Sequence, residues 1–163
     1  MYMNSLFYRN EDINENYISI TKFKKNIYDI YIHNENIHLN AEKSNKKISI
    51  YSDSLLATIK WKTFSNKYKV YKGNDKNHPI MLRDCKQIYL PPKCIQSNGI
   101  NTFKTTEICK LEKYQYLTIY QDSVFLDKDV VLTKYVNDKG VIHYIFKNPL
   151  TIIQAICMIF FIN

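Results

Sequence analysis

With 163 residues, 45% of them hydrophobic and 23% charged, the chain carries one domain's worth of sequence and enough apolar side chains for a core, which excludes a disordered polypeptide. The formal charge is +8, yet only Arg9 and Arg83 are arginine and the lysines are spread along the chain. The charge therefore reads as solvated surface, and a nucleic-acid partner is set aside. Three glycines in the whole chain exclude a dinucleotide-type phosphate loop.

The first 17 residues, MYMNSLFYRNEDINENY, lack the apolar stretch of a secretory signal. Either the chain is cytosolic, or this start is incomplete, or export relies on the C-terminal segment. Alternation then takes over. YISITKF (17–23), IYDIYIH (27–33) and KISIYS (47–52) read as strands. Residues 55–64 place Ala57, Ile59, Trp61 and Thr63 on one face and Thr58, Lys60 and Lys62 on the other. A capped helix opening at Ser52 or Asp53 is the alternative there, and the lysine alternation argues against it. KYKVYK, KQIYL, YQYLTIY, DVVLTKYV and VIHYIF continue the pattern. β-branched and aromatic side chains fill these runs and suit a pleated, half-buried surface. Residues 71–79, 90–103 and 137–140 carry the turn chemistry between them. Turn signals every eight to twelve residues or so predict an all-β fold, an antiparallel β-sandwich or a barrel. The sandwich is the expectation taken forward, over residues 1–147.

Residues 148–163, NPLTIIQAICMIFFIN, form an uncharged tail with Pro149 placed for a first helical turn. A helix of that length spans roughly 22–24 Å, against the ~30 Å of a bilayer core. A final core element, a membrane anchor and a partner-binding patch compete for it. The anchor is the expectation taken forward, with Lys147 at the membrane face.

No nucleophile elbow, zinc-protease helix or P-loop is present, so an enzyme is not expected, nor a cofactor or metal. Asp127 and Asp129 read as turn acids, Asp84 as a loop acid, Trp61 as core and His143 as packing or surface. Cys85, Cys94, Cys109 and Cys157 lack C-x-x-C spacing. They are ordinary small apolar residues in a reducing compartment, while in an oxidising one two of the first three can pair.

Three stretches, EKSNKKISIYSDS (42–54), RDCKQIYLPPKC (83–94) and EICKLEKYQYLTIYQDSVFL (107–126), carry a likeness. Through them the chain resembles the PIG-X family, accessory subunits of the endoplasmic-reticulum GPI mannosyltransferase I. The likeness covers about three quarters of the chain. An extra hairpin over residues 130–146 and the absence of a signal peptide depart from the family plan. The resemblance implies a non-catalytic, lumenal β-domain held in the endoplasmic reticulum membrane by its tail and bracing a PIG-M-type catalytic subunit. Thr151, Gln154, Ala155 and Cys157 would then face the partner's helices. The lumen would also permit a disulfide among Cys85, Cys94 and Cys109. The rival expectation is a soluble β-sandwich that binds a partner protein, of the kind viruses use as host-range or immunomodulatory factors.

Overall fold

The computed structural model describes residues 6–7, 15–90, 96–97, 100–101, 115–148 and 150–163. Its strands in chain order are β1 (Glu15–Lys24), β2 (Ile27–Ile32), β3 (Ile37–Ser44), β4 (Lys47–Tyr51), β5 (Leu55–Trp61), β6 (Lys67–Lys72), β7 (Met81–Asp84) and β8 (Gln87–Leu90). They continue with the short β9 (Gln96–Ser97) and β10 (Ile100–Asn101), then β11 (Gln115–Tyr120), β12 (Ser123–Leu126), β13 (Asp129–Val136) and β14 (Ile142–Lys147). One helix, α1 (Ile152–Ile162), ends the chain. The strands read from sequence all form, while β3, β7, β9, β10 and β12 were not among them.

All pairings are antiparallel, and the long sheet closes on itself, because β1 pairs both with β2 and with β14. The fold is thus all-β and antiparallel as expected, but a closed barrel rather than a sandwich. Closure removes the exposed edges that a sandwich must protect. β9 and β10 form a separate two-stranded hairpin.

Twelve strands enclose more space than their own side chains can fill, since about eight already make a barrel just wide enough for side-chain packing. The tail fills it. Ile153, Ala155, Ile156, Cys157 and Met158 are fully buried and share one cluster with Ile18, Ile30, Leu39, Ile50, Ile59, Met81, Ile88, Leu117 and Leu132 of the strands. A helix that is apolar all round belongs inside something, and here that is the barrel. With 11 residues, α1 extends roughly 16 Å. Among the described residues, no helix is long and apolar enough to cross a membrane.

Both ends of α1 are tied down. Thr151 is its N-cap; the Thr151 hydroxyl accepts from the Gln154 amide at 3.2 Å, and the Gln154 side chain accepts from the Thr151 amide at 3.0 Å. At the other end the Arg83 guanidinium donates to the Phe161 carbonyl at 2.7 Å and lies over the Tyr68 and Phe161 rings. That places a cation against the negative end of the helix dipole. The Asn163 side-chain amide donates to the Ile159 carbonyl and, at 2.9 Å, to the Tyr144 hydroxyl.

This placement corrects the reading of two residues. Ala155 and Cys157 are buried among barrel side chains and offer no surface to lipid or to a partner helix, while Thr151 and Gln154 are half-buried and cap the helix together. Burial pushes the Cys157 thiol far above its usual range. Pro149 lies outside the described residues.

Candidate functional site

Because consecutive antiparallel strands run up and down, the turns at 25–26, 45–46, 62–66 and 85–86 all lie at one rim of the barrel. The C-terminus of α1 reaches the same rim, where Lys43, Trp61, Tyr68, Phe160, Phe161 and Asn163 surround a small cavity of about 90 Å³. Trp61, expected in the core, is only half-buried at its edge, packed on Tyr68 at 5.3 Å between centroids, with the Lys43 ammonium 6.0 Å from its ring.

From this rim a cleft of about 620 Å³ runs down the outer face of β4, β5 and β6. Its cations are Lys46, Lys47, Lys60, Lys62, Lys67 and Lys69, and Trp61 and Tyr71 supply its aromatic surface. Among the described residues, no carboxylate lines it. A second hollow of about 280 Å³ shares Lys47 and Lys60 and ends at the loop carrying Asp75 and Lys76.

Register builds this concentration. Lys47 pairs with Lys60, and Lys60 with Lys69, so one row across three strands is lysine throughout. The next row inward is Ile48, Ile59 and Val70, all buried. The alternation read for residues 55–64 is therefore borne out for Ile59 and Lys60. The spread-out lysines are not, because sequence distance conceals what three adjacent strands bring together. Like charges directly opposite one another in a sheet are destabilising, so the row needs a counter-charge. The Lys60 ammonium leans over Tyr71 at 5.6 Å, which relieves part of the repulsion but neutralises none of it.

Asp84 stands directly opposite Lys67 at the end of the cleft, while Asp75, the acid lining the second hollow, is already committed. Its carboxylate accepts from the Asn77 and His78 amides and lies 3.4 Å from the His78 ring. The Asn77 backbone bond is the main reason its carboxyl pKa lies below the usual carboxylate range.

Two turns at the rim carry exposed phenylalanines. Phe64 is fully exposed and holds φ at +59°. Phe23, at the end of β1, is 64% exposed, with the Lys24 ammonium 5.5 Å from its ring. An exposed aromatic costs hydration free energy, and a left-handed backbone under a bulky side chain costs roughly 1–2 kcal/mol more. Lys46, at the tip of the β3–β4 turn, is also left-handed, at φ +58°.

Of the cysteines read as disulfide candidates, Cys85 is exposed in the β7–β8 turn and its thiol is free among the described residues. Cys94 and Cys109 lie outside the described residues. Among the described residues, no group of three or more His, Cys, Asp or Glu side chains forms a metal cluster. Asp127 sits in the turn between β12 and β13 with φ at +55°.

No protein-family model and no curated protein matches the chain. Among solved structures, the X-ray structure of an Arabidopsis thaliana protein, AT5G01750, is similar, with a TM-score of 0.54 at 10% identity. The similarity covers 91% of this chain and 89% of that one, and at this identity it speaks for the fold alone.

Proposed function

We propose that this chain is a non-catalytic docking module that seats its lysine-rich rim on an anionic, phosphate-bearing membrane surface. The observation that carries the reading is Phe64, a bulky side chain held fully in water on a left-handed backbone beside a cleft lined by six lysines. Both costs are recovered if the ring enters the boundary between headgroups and acyl chains while the lysines meet phosphates. Burying one such ring contributes about 1.5–3 kcal/mol, and each lysine near an anionic surface about 1 kcal/mol. The strands themselves do not suit lipid. Their outer face carries Lys47, Lys60 and Lys69 and their inner face is apolar, the inverse of a barrel that spans a bilayer.

The accessory-subunit role drew its physical support from a tail placed in lipid, and with α1 inside the barrel it stands on the resemblance alone. The rival expectation, a soluble domain that binds a partner protein, shares with this reading only a non-catalytic docking role.

The test is sedimentation with vesicles of phosphatidylcholine alone and of phosphatidylcholine with phosphatidylserine. Binding is expected only to the anionic vesicles and to weaken as salt rises. The Lys47→Glu, Lys60→Glu pair should lower it roughly tenfold or more, since two lost attractions of about 1 kcal/mol each become repulsions. Soluble pyrophosphate that binds the cleft while anionic vesicles do not would replace the membrane with a free phosphate ligand. Equal binding to neutral and anionic vesicles would overturn the reading.

A further inference from the structure

Away from the lysine cleft, three strands bring two histidines onto one hydroxyl. Ser19 lies on β1, His33 directly follows β2 and His143 lies on β14. The Ser19 Oγ is 2.6 Å from His33 Nε2 and 2.9 Å from His143 Nδ1. The imidazole rings sit edge to face with centroids 5.3 Å apart. Backbone pairing fixes this arrangement. The His33 amide donates to the Tyr17 carbonyl at 2.9 Å, and β14 runs against β1 from Glu15↔Lys147 to Ile18↔Tyr144. Tyr31 holds the His33 ring from the other side, at 4.5 Å between centroids, and stacks on His38.

A serine hydroxyl has one proton, so it donates to one of the two nitrogens and must accept from the other. The Ser–His contact resembles an activated nucleophile, but the site lacks what acyl transfer needs. It lies on the sheet exterior, where the strand amides are spent on barrel pairing and none is free to stabilise an oxyanion. Two imidazole nitrogens converging on one oxygen suit another chemistry. An ion that displaces the hydroxyl from between them meets two neutral nitrogen lone pairs at once, with Ser19 Oγ at hand as an oxygen donor.

We propose that His33 and His143, with Ser19 between them, form a bis-imidazole site for a divalent transition metal of the Cu²⁺ or Zn²⁺ class. Imidazole suits these ions, and water or an external ligand completes their coordination. The bonded ligand form is the neutral ring. Burial, and then the neighbouring His143, favour that form by lowering the basicity of His33. The position gives the site a consequence. β1 is the strand through which the barrel closes, and an ion held by His33 and His143 links its two neighbours across it.

The experiment is Cu²⁺ titration of untagged protein with its accessible thiols alkylated, followed by isothermal calorimetry and electron paramagnetic resonance. One equivalent is expected to bind tightly with nitrogen coordination. His33→Ala or His143→Ala should each weaken that site roughly tenfold or more, because the second imidazole acts at a high effective concentration. His38→Ala should leave it unchanged. Zn²⁺ should raise the melting temperature of the wild type and not of the His33→Ala, His143→Ala double variant. Should a substitution disturb folding, His33→Asn and His143→Asn provide neutral replacements, and circular dichroism checks the barrel. Unchanged Cu²⁺ affinity in the double variant, or a wild type that binds no tighter than it, would overturn the proposal.

Discussion

Phe64 is the residue whose energetics are hardest to reconcile with an isolated barrel, because it has neither burial nor a relaxed backbone. Asparagine tolerates the left-handed region and has no aromatic surface to hydrate. Phe64→Asn should therefore stabilise the free protein by roughly 1 kcal/mol, read as a rise in the denaturation midpoint. The same change should weaken binding to anionic vesicles, and a loss of stability would mean that the ring makes native contacts. His33 gives a second residue-scale expectation. Burial and His143 lower its folded-state pKa below the ordinary 6.5, so folding favours the neutral ring. Its contribution is full above 6.5 and is lost as pH falls through the lowered value. Melts between pH 7.5 and 5 should show stability falling towards acid, with a shallower slope for His33→Asn. Asp75 acts in a separate window below its ordinary 3.8, where the stability from its lowered pKa disappears on protonation.

At the scale of elements, what the sequence disclosed and what it concealed divide along a physical line. Strands with one wet and one dry face were legible, since alternation is local: β1, β2, β4, β5, β6, β11, β13 and β14 all carry it. β3 alternates as plainly, with Ile37, Leu39 and Ala41 buried and His38 and Glu42 exposed, and was equally readable, whereas β7 and β12 offer only four residues to a period. The helix was legible as a helix but not as filling. Its apolar surface is as suited to a bilayer as to a barrel, and only the strand count, a global property, separates the two. The lysine cleft was illegible for the same reason, since Lys47, Lys60 and Lys69 meet through register. The helix prediction follows from burial. Ile156 is fully buried at the centre of α1, so Ile156→Ala should cost about 2–5 kcal/mol in chemical denaturation. A cost under about 0.5 kcal/mol would match a surface position instead.

For the whole molecule, the barrel and its plug are interdependent. Without α1 the enclosed apolar residues would face an open interior, and without the barrel α1 would expose an uncharged helix to water. Removing the tail should therefore abolish the fold rather than release an intact β-domain. β1 and β14, far apart in sequence, close the barrel, and the lysine rim is presented by the same framework that the helix supports. Amide hydrogen exchange on the intact protein tests this interdependence most directly. The amides of Ile152–Ile162 are expected to exchange only through global unfolding, at the same slow limit as those of β1, β5 and β14. Fast exchange across the helix while the strands remain protected would contradict the account.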